Sequence, residues 1–444
     1  MKFNIDYTVE NYLLHTKWSD LPEYVQKRAI VCGIDLLMAL IVGSKGSQFR
    51  SGLRLAEGYC APNGEITPLG SRAKLNILGA TIAMGHASNS FDIDDGYNMI
   101  KGHPGTSFIG GTLAAALEKD VSYLEFLTTL VVTYDVTMRW GLAMQEHYNF
   151  LHSTGTYGAY GTAAGIGRLY RLSPKQLNNA LSIADFHAPL TPVMRSVEYP
   201  SMNKDGVPYG ALVGVMAILD TLAGSTGVGN ILELPEYAHY TANLGKEYEI
   251  MNLYFKPFTC CRWAHQPIQA IIDLKKSYGF TWEEVQKLTV ETFDSAAKLS
   301  KKIPETTDEA QYNIAWPVAS ALVYSDVGYN QVCDSALKDE KVLQAMKLLH
   351  FEVDPEMEKQ FPAKRLAWVK ITMKDGKEYT SKVYAAPGEH TDNVDLNWMQ
   401  KKFYRITRPM LTEAAQEKVL DLLTSNPGRP VRKIIALINE LLEV

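Results

Sequence analysis

The chain is short of several things, and each shortage excludes a class of function. It has five cysteines in 444 residues. That odd number, with no paired spacing, gives neither a disulfide framework nor a thiolate metal site. It has no basic run: 44 Lys and Arg stand against 49 Asp and Glu, a net charge of −5. No aromatic residues interleave with lysine or arginine as they do on a nucleic-acid surface. Nor is there a long apolar stretch. The run from Ile30 to Gly43 is 14 residues and contains Asp35, too short to cross a bilayer and suited to a core helix. The N-terminus, Met1-Lys-Phe-Asn-Ile-Asp6, places an acid where a secretory leader has its hydrophobic core. Internal repeats and low-complexity tracts are lacking too. The expectation is a reduced, cytoplasmic setting with no membrane and no nucleic-acid partner.

What is present is an ordinary globular composition, 46% hydrophobic and 21% charged, with length for two or three domains. The first 250 residues carry helical periodicity. Ser19 and Asp20 precede Leu21-Pro22 as helix caps, Ser122 opens a helix over Tyr123 to Arg139, and Ser173-Pro174 opens one running to Ala184. Gly155, Gly158, Gly161 and Gly165 place a glycine stripe down one helix face, which fits close helix packing better than a phosphate loop because no strand precedes it. The pattern changes near Lys256. Leu288 to Phe293 alternates like a strand, and Asp375-Gly376 joins Ala367–Met373 to Glu378–Val383 as a hairpin. Helical patterns punctuate this part (Gln266 to Tyr278, Val318 to Val327) and return from Thr412 and from Pro430. The fold expected is mostly α with an inserted α+β domain: helical over 1–255, an α+β lid over 256–394, and a return to the helical domain over 395–444.

Four segments could carry chemistry. Between Phe91 and Gly105 the chain reads Phe-Asp-Ile-Asp-Asp-Gly-Tyr-Asn-Met-Ile-Lys-Gly-His-Pro-Gly. Three carboxylates and His103 lie between apolar, small-residue segments, one ending at His86, that read as buried helices. Burying such groups is costly, and acid–base work is a common reason to accept it; a solvated acidic loop is the plainer alternative. It lacks the glycine and terminal glutamate of a calcium loop. His152-Ser-Thr-Gly-Thr-Tyr-Gly158 puts an imidazole at a helix start, where the dipole favours its neutral, basic form, or where it serves only as a core histidine. Lys204, in Ser201-Met-Asn-Lys-Asp-Gly, is a loop lysine beside an Ala/Gly-rich helix. Lys256-Pro-Phe-Thr-Cys-Cys-Arg-Trp-Ala-His265 lies where the two patterns meet, as small-molecule clefts do. There Lys256 and Arg262 could clamp carboxylates. Adjacent Cys260 and Cys261 do not suit one tetrahedral metal, while a thiolate nucleophile near His265 stays open. Together the four supply His, Asp, Lys and Arg and no cofactor motif, a set suited to proton removal alpha to a carboxylate.

These four blocks, in this order and at these separations, resemble the MmgE/PrpD family, which includes 2-methylcitrate dehydratase, cis-aconitate decarboxylase and iminodisuccinate epimerase. The likeness covers nearly the whole chain. It implies a cofactor-free homodimer whose helical domain is built from both chain ends, with a cleft for di- and tricarboxylic acids. It implicates Asp92, His103, His152, Lys204 and Lys256 in catalysis, with a histidine as base or acid, Asp92 orienting a histidine and the lysines binding carboxylates. Gly96, Cys261, Arg262 and His265 are the candidate substrate contacts; no metal ligand is expected. Three departures stand out. Gly96 replaces a hydroxyl residue, Cys261 stands where the decarboxylase branch carries a histidine, and Tyr209 and Leu212 replace small or basic residues. The expectation is a hydratase–dehydratase-type lyase acting on a small hydroxy di- or tricarboxylate. The alternatives are an epimerase, isomerase or decarboxylase of a similar acid, or a non-catalytic carboxylate-binding homologue.

Overall fold

A computed structural model describes residues 3–60 and 64–444. The chain is mostly α-helical with two small sheets. The longer helices of the first half are α1 (Thr8–His15), α2 (Glu23–Gly43), α3 (Ser47–Tyr59), α4 (Ile77–Ser88), α5 (Pro104–Lys119), α6 (Tyr123–Tyr148), α7 (Thr154–Leu169) and α8 (Pro174–Phe186). They are followed by α9 (Val207–Leu222), α10 (His265–Tyr278), α11 (Ala315–Tyr324), α12 (Leu396–Thr407), α13 (Glu413–Thr424) and α14 (Val431–Leu441).

Local chemistry sets most of these boundaries. Ser122 Oγ accepts from Glu125 N at the start of α6, and Ser173 forms a capping box with Gln176 at the start of α8. α6 runs nine residues beyond the expected end at Arg139, to Tyr148. The expected caps of α2 act elsewhere: Asp20 accepts from Lys17 N (2.8 Å) within a separate turn of 3₁₀ helix, Trp18–Asp20, and α2 starts after Pro22 with no side-chain cap.

The glycine stripe is a packing device. A Cβ on Gly155 would fall 2.4 Å from the Gly206 carbonyl oxygen, and one on Gly158 would fall 2.6 Å from that of Ser107. α7 is thus pressed between α5 and α9 at distances no larger residue tolerates.

The main sheet has the order β4-β3-β5-β6, built from β3 (Val285–Thr292), β4 (Leu349–Val353), β5 (Leu366–Met373) and β6 (Glu378–Thr380), with β7 (Tyr384–Ala385) also on β5. β3 pairs parallel to β4 and antiparallel to β5. Alternate residues of β5 (Ala367, Val369, Ile371, Met373) are buried, as period-two patterning requires. Gly376, at φ +85°, closes the β5–β6 hairpin. A two-residue ladder pairs β1 (Gly96–Tyr97) with β2 (Leu253–Tyr254), setting Gly96 opposite Tyr254.

The last fifty residues pack on helices of the first half. Val431 N donates to Val121 O (2.9 Å) and Tyr123 N to Arg429 O (2.8 Å). The α12 residue Lys402 is buried. Its Nζ lies 2.5 Å from Asp35 Oδ1 in α2 and donates to the Ile93 carbonyl (2.8 Å). Removing one member of a buried ion pair strands the other charge. Lys402→Met is therefore expected to lower stability by about 3–5 kcal/mol in urea unfolding, and Asp35→Leu added to it should restore more than half of that loss.

Candidate active site

Between α4 and β1, Asp92, Asp94 and Asp95 are all buried. Asp95 is structural. It accepts from the Tyr134 hydroxyl and from Gly105 N (3.1 Å), and burial pushes its carboxyl up to about 7. Asp94 Oδ2 lies 3.0 Å from His103 Nδ1, and its Oδ1 accepts from Asn89 (3.2 Å). Burial works to raise Asp94, but the neighbouring His103 and Lys256 outweigh it and hold the carboxyl near 2. Asp92 stands at φ +50°, a left-handed backbone that a non-glycine residue adopts only when its surroundings enforce it. They do so through Lys256, whose Nζ donates to the Asp92 carbonyl (3.1 Å) and to its Oδ1 (2.6 Å).

His103 sits immediately before Pro104, at the N-cap of α5. Its Nδ1 lies 3.1 Å from the Asp95 carbonyl oxygen. A carbonyl only accepts, so Nδ1 carries hydrogen and Nε2 is left for the cavity, with Asp92 Oδ1 3.9 Å away. Burial and Lys256, whose Nζ is 3.1 Å from Nδ1, pull the imidazole's affinity for a proton down; Asp94 and Asp92 prevail and raise it above the ordinary range. Ligand atoms of Asp92, Asp94 and His103 lie within 4.8 Å of one another, as in a metal site. The Lys256 ammonium already sits against Asp92 and His103 and supplies the cation there.

These groups open onto a cavity of about 340 Å³, at the small end of ligand sites, which span roughly 300–1,000 Å³. Of the nine residues singled out in the sequence, Asp92, His103, Lys256, Cys261 and Arg262 line it. The other four lie behind the wall. Lys204 Nζ is fully enclosed, bonded to Gln311, 3.9 Å from Asp308 and 5.0 Å from the centre of the Tyr312 ring. His265 turns inward to the Cys260 carbonyl (3.0 Å), and burial, with Arg262 nearby, keeps it neutral. His152 is buried against Phe150 (ring centres 4.0 Å apart), with neither ring nitrogen partnered among the described residues, and burial lowers its proton affinity. Its neighbour Leu151 is the one that faces the cavity. Gly96 lies beneath Tyr254: a Cβ there would fall 2.2 Å from Tyr254 Cζ.

Several further residues line the cavity or support its lining. Asp205, at φ +61°, accepts from the Tyr312 hydroxyl (2.9 Å), and burial raises its carboxyl. Tyr254 stacks on Arg262, whose Cζ is 3.9 Å from the ring centre. Arg262 pairs with Glu389 (2.7 Å), Glu389 accepts from Asn98 (2.7 Å), and Asn98 accepts from Arg365 (2.8 Å). Lys101, lowered to about 8 by burial and by Arg365, completes the cationic lining. Burial pushes the Cys261 thiol up to about 12, which works against a thiolate nucleophile there. A larger open groove, about 1280 Å³, runs beside Trp18 and Arg168. It lies away from this cluster, and Arg168 there is already bonded to Leu13, Thr16 and Glu125.

Residues 8–249 match the MmgE/PrpD N-terminal domain, and residues 258–425 match the MmgE/PrpD C-terminal domain. The chain belongs to the MmgE/PrpD family. Among curated relatives, it is 25% identical over 378 residues to the cis-aconitate decarboxylase-like protein oryM of Aspergillus oryzae, spanning 76% of this chain and 77% of that one. It is 23% identical over 283 residues to a cis-aconitate decarboxylase of Aspergillus terreus, spanning 58% of each chain. In this MmgE/PrpD protein, the space above residue 96 belongs to the Tyr254 ring and hydroxyl.

That packing is testable. Gly96→Ala forces the ring aside and is expected to cost about 1–3 kcal/mol in stability. In a Tyr254→Leu background the cost of Gly96→Ala should fall by more than half, as measured by a double-mutant cycle.

Proposed function

We propose that this protein is a cofactor-independent lyase of the hydratase–dehydratase type. Its substrate is a small hydroxy di- or tricarboxylic acid from which it removes the proton alpha to a carboxylate. The observation that carries the reading is the buried Asp94–His103–Lys256–Asp92 cluster at the wall of a cation-lined cavity. Lys256, Arg262 and Arg365 hold the carboxylates and stabilise the charge that builds on the carboxylate as its alpha carbon loses a proton, an effect worth roughly 10²–10³ in rate for a single donor.

The two histidines are pushed in opposite directions, which supports opposite roles. His103, whose proton affinity Asp94 and Asp92 raise, is the acid that delivers a proton from Nε2 to the departing hydroxyl. His152, whose proton affinity burial lowers, is the base that takes the alpha proton. The C–H electron pair becomes the new C=C bond, the C–O bond breaks, and water leaves. This assignment requires His152 to turn past Leu151 into the cavity, which would also give its two unpartnered nitrogens a partner.

Decarboxylation is the second reading, supported by the names of the relatives; Cys261 in place of a histidine speaks against it. Incubation of candidate acids in deuterated water separates the reactions. Alkene absorbance without CO₂ is the expected result. CO₂ release supports decarboxylation, and deuterium exchange alone supports epimerisation. Wild-type turnover in both His103→Asn and Lys256→Met would refute the cluster's role.

The pH profile follows from His103. As an acid it must be protonated, so kcat/KM should fall as pH rises through its raised pKa, above 6.5. Asp94→Asn removes the charge that raises it and should move that limb to lower pH.

The partner proposed is a second copy of the chain. The outer face of α9 exposes Tyr209 and Met216, seven residues apart and so on one side of the helix, a pair suited to an isologous contact. Met216→Glu is expected to convert a dimer to a monomer in analytical ultracentrifugation.

A further inference from the structure

The charged end is only part of the cavity wall. Much of the remainder is hydrocarbon, from Leu151, Val193, Met194, Val197, Trp263 and Phe361. This part is braced. Phe293 stacks on Phe361 (ring centres 4.5 Å apart), and Trp263 meets both rings edge-on at 5.8 and 6.2 Å. A small acid with a charge at every end would press one carboxylate against that wall and lose its hydration with nothing in return.

The apolar surface also does not end with the cavity. A second hollow of about 890 Å³ shares Met194, Val197, Trp263 and Ser295 with it. It runs on past Tyr199, Leu299, Ile303 and Pro304, with Tyr199 80% and Ile303 63% exposed, and its rim carries the charged residues Glu198, Lys298, Lys302, Glu305 and Glu309. The adjoining hollow adds room beyond the inner cavity of about 340 Å³.

Building on the carboxylate reading above, we propose that the substrate is a polycarboxylate bearing a hydrocarbon tail of several carbons. Its carboxylates sit at the Lys256, Arg262 and Arg365 end, and its tail lies along Val197 and Trp263 into the adjoining hollow. The four residues common to both linings, Met194, Val197, Trp263 and Ser295, favour this occupant over a separate protein partner, because one ligand lying along them would touch both surfaces.

The test is calorimetric titration of the full-length protein with succinate and with 2-methyl-, 2-butyl- and 2-hexylsuccinate. Expected is one competitive site per chain, with Kd falling about two- to fourfold for each methylene buried. Val197→Asp should flatten that trend; its ligand-free melting temperature checks that it is folded, and Met194→Asp serves as the second variant. A Kd independent of chain length, tail binding that does not compete with succinate, or a trend unchanged in both variants would overturn the tail site. In each of those cases binding of succinate itself leaves the carboxylate reading standing. Failure of all four acids to bind would defeat that reading as well.

Discussion

Buried carboxylates stay folded only where buried cations meet them, and the loop over residues 90–95 is arranged around that constraint. Two lysines reach it from distant parts of the chain. Lys402, on α12, takes the Ile93 carbonyl while paired to Asp35. Lys256 takes the carbonyl and carboxylate of Asp92. Between them the loop is gripped at successive residues, and Asp92 is held in its left-handed conformation. His103 then inherits its environment from the same loop, through Asp94 and the Asp95 carbonyl. Fold and site are thus one electrostatic object. Lys402 on α12, far away in sequence, thus contacts the same loop that holds the imidazole.

The sequence was most legible where the determining chemistry is local. Ser122 and Ser173 cap the helices they precede, Asp375-Gly376 turns a hairpin, and the glycines of α7 mark close approach because nothing larger fits. It was less legible where two local solutions compete. Asp20 satisfies the turn before α2 instead of capping α2, while Asp395, the same residue type, does cap α12. Within the site, Asp92, His103, Lys256, Cys261 and Arg262 could be picked out because they cluster in short motifs. Asp205, Tyr254, Tyr312 and Arg365 could not. Each is an ordinary residue until the fold sets it beside a partner more than a hundred positions away or beneath a neighbouring ring, as Asp205 with Tyr312 and Arg365 with Asn98. The distinction between lining and supporting residues, which separates Lys256 from Lys204, depends on side-chain direction, which a motif does not encode.

Charge is distributed in two tiers around the cavity. Lys256 is closely matched by Asp92. Arg262 and Arg365 are tied into a chain through Glu389 and Asn98, and Lys101 donates to the Asn98 carbonyl (2.6 Å). Because these links run between the segment near β1 and the segment after β7, the outer tier joins two separate parts of the chain across the opening. An incoming anion that draws on the same cations competes with Glu389, so ligand binding and the closeness of these two segments are energetically linked.

The tight seating of α7 against α5 and α9 has an evolutionary corollary. Backbones that touch through glycine admit almost no side-chain change, so drift in this region is arrested by sterics alone. The hydrocarbon wall obeys no such rule: Val193, Met194 and Val197 belong to a short stretch outside the long helices, where methyl groups can be added or trimmed at little structural expense. Mutational novelty is therefore channelled to one side of the cavity. The glycine-packed helices stay fixed while the hydrocarbon wall is free to vary.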